Sequence, residues 1–350
     1  MISVYTLEQS DKWDELVKQF ENYDVYYLSG YVKAFMIHGD GEPVLFYYES
    51  EDADAKAINV VMKRDIGEFS LLKGLVPLNT WFDYSCPYGY GGWLFYGDVD
   101  DKILFEEYDK YLHSHNVVSE FVRFHPVLEN HVYSEHGYDV IPLGQVITMD
   151  LASPEIIWEN IISKNRNMIR KAIKNGVTIK EGSNSELYKT FRAIYNKTMD
   201  KDEADSYYYF GDEFYESIMS DLKDNAKLFY AEYEGNIIAA SIMIYANGRM
   251  NYHLSGSVRE YQNLAPTNLL LYQAALWGCE NGYKTLYLGG GVGSGEDSLF
   301  KFKRAFYRKD DLKRFYIGKK IINKEKYDEL VSLRTDLPDS GYFPRYRAMH

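Results

Sequence analysis

The sequence predicts an α/β chain of two tandem domains, each a mixed, mostly antiparallel sheet flanked by helices. Three observations carry this. The chain has 350 residues, and single cores give way to several beyond about 250–300. From residue 227 onward it reads as three strands, a helix, a strand, a helix and a strand. The first 150 residues repeat that order more faintly, which divides the chain into 1–150 and 151–350.

The elements follow in order. Ile2–Tyr5 is a short strand, and Ser10 caps a helix with Trp13, Leu16, Val17 and Phe20 at helical spacing. Runs near 44–48 and 57–62 read as strands, followed by the Gly- and Tyr-rich loop 87–92. A helix near 100–113 precedes strands at 117–124 and 145–149. Ser153-Pro154 opens the second domain with a cap and a proline at the first helical position. The spacing predicts one helix that buries Ile157, Trp158, Ile161, Ile162, Ile169, Ala172 and Ile173 and ends at Gly176. A strand begins at Val177, and a second helical region covers about 185–198. Strands at 228–233, 237–245 and 249–254 follow, the last two joined by Asn247-Gly248, a type I′ hairpin signal. Helix 267–281, strand 285–288, helix 297–306 and strand 314–317 complete the chain.

Composition narrows the function. A formal charge of -13 opposes non-specific binding to DNA or an anionic membrane, though it leaves room for a local basic patch. Two distant cysteines fit a reducing compartment. The N-terminus lacks the basic and apolar blocks of a secretory signal, and no apolar run approaches the ~18–20 residues of a membrane span, so a soluble, cytoplasmic protein is expected.

Two segments reverse the local charge sign. Residues 151–180 hold six Lys/Arg against two acids, with Arg166, Arg170 and Lys174 on one helical stripe. Residues 301–320 hold nine against two, and Phe302, Lys303, Arg304 and Phe306 alternate rings with cations. Either segment fits a phosphate-bearing partner, and either fits a solvated helix face. Tyr252-His253-Leu254-Ser255-Gly256-Ser257 places small residues at a strand end, where a ligand could approach backbone amides; turn formation explains Ser255 and Ser257 equally well. The glycine-rich stretch 289–295 matches neither a Walker A loop nor G-x-G-x-x-G, and reads as a strand-to-helix loop. The histidines lack partners at metal-ligand spacing, and no nucleophile signature is present, so no metal and no covalent intermediate are expected.

The strand and helix order after 227 is that of the GNAT acyltransferases. Asn165–Ala172 followed by Gly176-Val177 resembles the arginine- and lysine-bearing helix of the FemABX peptidyltransferases. The segments 252–257, 265–270 and 282–290 are similar to that family's strand–helix–strand core, and 299–306 to its Phe-Lys signature. The resemblance implies two tandem GNAT-like domains with a cleft between them, and aminoacyl transfer from aminoacyl-tRNA to an amine of a peptidoglycan or other cell-envelope precursor. It implies no bound cofactor, and contact with the membrane only through a lipid-linked acceptor. It places Phe302 and Lys303 toward the donor, Arg166 and Arg170 toward phosphates, and Tyr252 along the acceptor. Arg304, in the same signature, joins the substrate-binding candidates. The loop 87–92 resembles a branch of acetyltransferases from surface-polysaccharide clusters, and Tyr88 is its candidate acceptor contact. That alternative is acetyl-CoA-dependent N-acetylation of an amino sugar. The approach to helix 267–281 lacks the glycines that wrap a CoA pyrophosphate, leaving Asn268 and the helix N-terminus. Asp83 is the candidate general base, with a structural carboxylate as the competing explanation.

Overall fold

The computed structural model describes residues 1–51 and 54–349. The chain forms two compact units, Met1–Leu143 with Phe315–His350, and Gly144–Arg314. The boundary thus lies earlier than 150/151, and residues from 315 onward belong to the first unit instead of the second.

The first unit begins with β1 (Ile2–Tyr5), α1 (Ser10–Val17), α2 (Ser29–His38), β2 (Glu42–Glu49) and β3 (Lys56–Asp65). The apolar run of β3 is buried on both faces, which accounts for its near-continuous hydrophobicity. After β4 (Phe82–Ser85) and β5 (Leu94–Tyr96) comes α3 (Asp101–Ser114), whose first turn is capped by the Asp100 carboxylate. It buries Leu104, Phe105, Tyr108 and Leu112 and returns the chain to β6 (Val117–Arg123). β4 and β6 pair in parallel, as a helical crossover demands.

The strand β7 (Asp139–Asp150) leads into the second unit. There α4 (Pro154–Asn160), α5 (Ser163–Lys174), β8 (Thr178–Gly182), α6 (Ser185–Lys201) and α7 (Asp212–Asp221) precede the strands β9 (Ala226–Tyr233), β10 (Asn236–Ala246) and β11 (Arg249–Ser257). The β10–β11 turn has positive φ at both Asn247 (47°) and Gly248 (75°), as the hairpin signal requires. Then come α8 (Pro266–Glu280), β12 (Thr285–Gly289) and α9 (Ser298–Arg304). The sheet runs β7-β12-β11-β10-β9-β8, antiparallel except for β11 and β12. The chain returns to the first unit through β13 (Lys313–Ile321) and α10 (Lys324–Ser332).

Two expectations are corrected. The single helix over 154–173 is two, because Ile161 and Ile162 are extended. Ile161 is fully buried, and the Ile162 N–H donates to the Ala305 carbonyl at 3.1 Å, so tertiary contacts outweigh the helical spacing. Ile162 and Ile173, expected inside, are exposed. The closing strands are also exchanged. β13 pairs with β6 in the first unit, and the strand expected to end the first domain, β7, pairs with β12 in the second. Strand patterning specifies which face is buried and carries no information on which edge is extended.

Candidate active site

In the second unit β11 and β12 pair at three positions: Arg249–Thr285, Met250–Leu286 and Asn251–Tyr287. β11 then continues to Ser257 and β12 to Gly289 without further mutual pairing. The backbone groups between the parted strands have left the ladder, so an extended acyl or peptide group can hydrogen-bond there as an added strand. The corresponding parallel pair of the first unit stays closed. Beyond Ser85–Phe121 the Cys86 N–H donates to the Phe121 carbonyl, and the Gly91 N–H to the Arg123 carbonyl, both at 2.9 Å.

Lys303 stands at the end of β12. Its side chain rises from α9, is 9% exposed, and donates from Nζ to the Gly290 carbonyl at 2.7 Å. Burial lowers its ammonium to about 8, while the Asp297 carboxylate pulls the other way. Asp297 caps α9 by accepting from the Phe300 N–H at 2.8 Å, and it accepts from the Val292 N–H at 3.1 Å. One carboxylate thereby ties the glycine-rich loop to the helix that carries the lysine. The neighbours in the signature do other work. Phe302 packs against the core and meets the Phe306 ring edge-on, while Arg304 pairs with Asp310 at 2.9 Å and donates to the Arg308 carbonyl. Neither arrangement points to a ligand.

On β11 burial raises the pKa of the Tyr252 phenol, against the opposing pull of the Ser255 and Ser241 hydroxyls. Ser241 Oγ donates to Ser255 Oγ at 2.7 Å. These three hydroxyls sit on a bulge, since Ile242 faces Leu254 and Met243 faces Tyr252, leaving His253 as the extra residue. Ser257 is tied to α6, its N–H donating to Thr198 Oγ1 at 3.2 Å. Gly256 serves that same helix: a Cβ there would stand 2.9 Å from the Tyr195 backbone. The small residues of this strand end therefore admit α6, where the sequence suggested close approach of a ligand.

Asn268 is also structural. Its Nδ2 donates to Asn165 Oδ1 at 2.7 Å, and Asn165 Nδ2 donates to the Ala305 carbonyl at 3.3 Å. This relay joins α8, α5 and the end of α9. On the outer face of α5, the Arg166 and Arg170 guanidiniums lie 5.9 and 5.1 Å from the Trp158 ring centroid. Among the described residues, neither arginine forms an ion pair, nor do Lys164, Lys171 or Lys174.

The two candidates in the first unit separate. Asp83 is fully buried on β4. It accepts from Arg64 Nε and Arg347 Nε, both at 2.6 Å, and from the Tyr346 hydroxyl at 3.0 Å. Burial pushes its carboxyl up, yet Arg347 and Arg64 outweigh it and hold the pKa below the usual value. A carboxylate so clamped is a poor proton acceptor, so the general-base expectation is corrected. Tyr88 stacks on Phe35 at 5.1 Å, in a loop that turns through Gly89 at φ 93°.

Residues 163–304 match the acetyltransferase (GNAT) domain model. Over 92% of its length the chain is 24% identical to the UDP-N-acetylmuramoylpentapeptide-lysine N(6)-alanyltransferase of Weissella viridescens, covering 96% of that protein. Its fold superimposes on crystalline FemX with a TM-score of 0.66, at 14% identity, over 94% of this chain and 99% of that one. The chain is thus similar to an alanyltransferase in sequence and to FemX in fold. A Bacteroides thetaiotaomicron protein of unknown function has the same fold, with a TM-score of 0.57, 12% identity and coverage of 91% and 100%.

In this chain three site-supporting residues escape sequence reading. Ser241 is the one polar side chain inside the apolar run 237–245, which is a usable signal. Asp297 precedes a helix at the N-cap position, also legible, though its second bond to the glycine loop is not. Trp158 reads as core by spacing, and only the packed structure sets two guanidiniums over it.

Proposed function

We propose that the chain transfers an aminoacyl group from aminoacyl-tRNA to an amine of a peptidoglycan or related cell-envelope precursor. The observation that carries this reading is the parted β11–β12 pair with buried Lys303 at its edge. The likeness to an alanyltransferase supports it. The acceptor amine, deprotonated, attacks the ester carbonyl of the donor. The carbonyl oxygen gains charge, and the Lys303 ammonium donates to it in a site where water is scarce. Collapse breaks the ester bond, and the tRNA hydroxyl leaves with a proton. The cations of α5, unneutralised by carboxylates and partly stacked on Trp158, favour a polyanionic donor over the few phosphates of acetyl-CoA.

A donor screen tests this. Charged tRNA is expected to support transfer to a lysine-containing precursor, with binding that weakens by about 0.7–0.9 in log–log slope per phosphate contacted. Saturable acetyl-CoA binding, with none of charged tRNA at low salt, would overturn the donor assignment and favour N-acetylation.

A further inference from the structure

The segment between β3 and β4, residues 66–81, is a closed loop with an outward-facing apolar tip. The Asp65 carboxylate fastens its neck, accepting from the Gly67 N–H at 2.8 Å and the Asn79 N–H at 2.6 Å. The Ile66 N–H donates to the Trp81 carbonyl at 3.0 Å. Ile66, Leu72 and Val76 anchor the loop in a core with Tyr327 and Leu330. With those anchors fixed, Leu71, Leu75 and Leu78 remain 38%, 57% and 57% exposed. Burial of a leucine is worth about 1.5–3 kcal/mol, so a fastened loop showing three of them has an unused apolar surface.

We propose that this loop docks the protein on an anionic lipid bilayer. Leu71, Leu75 and Leu78 enter the acyl boundary, and Lys73 meets lipid phosphate. The tip's chemistry selects this occupant. The loop carries one carboxylate, Glu68, at its neck and one cation, Lys73, at its tip, while the whole chain has a charge of -13. Protein interfaces draw their energy from Trp, Tyr and Arg anchors with a hydrogen-bonding rim, and leucine is under-represented in them. The exposed tip offers leucines and one cation, the combination of an interfacial anchor. No helix among the described residues is long and apolar enough to cross a membrane, so the contact is peripheral. The inference deepens the proposed function by favouring a lipid-carried acceptor, but its test needs no transfer activity.

Vesicle flotation decides it. The wild-type chain is expected to float with vesicles of phosphatidylglycerol and phosphatidylethanolamine. The triple variant Leu71→Ser, Leu75→Ser, Leu78→Ser is expected to lose at least about tenfold in partitioning, equivalent to about 1.4 kcal/mol. Its thermal midpoint should stay near the wild-type value, and Leu75→Ser and Leu78→Ser singly carry the test if the triple variant does not fold. Lys73→Glu should weaken binding to the anionic vesicles and leave that to phosphatidylcholine vesicles unchanged. Wild-type protein that stays at the bottom of the gradient overturns the proposal. So does a folded leucine variant that floats like wild type, which would assign the surface to a protein partner.

Discussion

Two buried titratable side chains set separate expectations for pH, one for turnover and one for stability. Lys303 has its ammonium lowered to about 8 by burial. If the cation stabilises the oxyanion, its contribution is present below that value and fades above it. Lys303→Met is expected to lower kcat by about 10²–10³, with a thermal midpoint close to wild type. Because the acceptor amine also titrates, the limb belonging to Lys303 is isolated with Lys303→Arg, which should hold its charge past pH 9. Wild-type turnover in a folded Lys303→Met protein would remove the residue from the reaction. Glu120 in β6 affects stability instead. It is fully buried, accepts from the Tyr138 hydroxyl at 2.9 Å and from Asn59 Nδ2 at 3.4 Å. The cation nearby, Lys320, is paired with Asp109 and lies among the rings of Phe105, Tyr108 and Tyr138, so one positive charge serves two carboxylates. Burial pushes Glu120 up to about 7, against Lys320 and its hydrogen bonds. A raised folded pKa gives stability that is complete below the unfolded value of 4.5 and is lost as pH rises through about 7. Thermal midpoints of the wild type should therefore fall between pH 5 and 8 more steeply than those of Glu120→Gln. Equal slopes would exclude this group.

At the scale of elements, the site depends on how α9 is held. The Ala305 carbonyl receives the Ile162 N–H and Asn165 Nδ2, and Asn165 in turn receives Asn268. Asn165 is almost fully buried, so Asn165→Ala leaves the Asn268 amide and the carbonyl short of partners. A loss of about 1–3 kcal/mol is expected in denaturant titration. Turnover should fall as well, because Lys303 rises from the same short helix. A variant that loses stability but keeps full turnover would show that α9 is positioned without the relay. The element scale also explains why Ser255 and Ser257 read ambiguously. Small side chains let this strand end meet α6, a contact that a local sequence pattern does not distinguish from room for a ligand.

At the scale of the molecule, Asp83 binds the chain's last residues to its first unit. Arg347 and Tyr346 reach it from the C-terminal segment and Arg64 from β3. Asp83→Asn leaves two guanidiniums facing a neutral amide in a buried site. That should cost about 3–5 kcal/mol, read as a large drop in thermal midpoint. Because the folded pKa is depressed, the carboxylate's contribution is present above its unfolded value of 3.8 and disappears as pH falls through the folded one. An unchanged midpoint with abolished transfer would return Asp83 to the chemistry.

The sequence by itself determined what local physics can encode. Periodicity set most helices and strands, Ser153-Pro154 marked a helix start, and Asn247-Gly248 marked a hairpin whose two positive φ angles are present. The ordered motifs around Lys303 carried the family resemblance, and that lysine is buried where β12 ends. Only the tertiary structure decided matters that depend on partners distant in the chain. It broke the helix at Ile161 because that side chain and the Ile162 N–H each had a better use. It sent β13 to β6 and β7 to β12, since a strand's pattern fixes its faces and leaves its edges unassigned. It turned Asp83 from candidate base, and Asn268 and Arg304 from candidate substrate contacts, into internal ties, because a charge or an amide is committed by whichever partner folding brings within hydrogen-bonding distance.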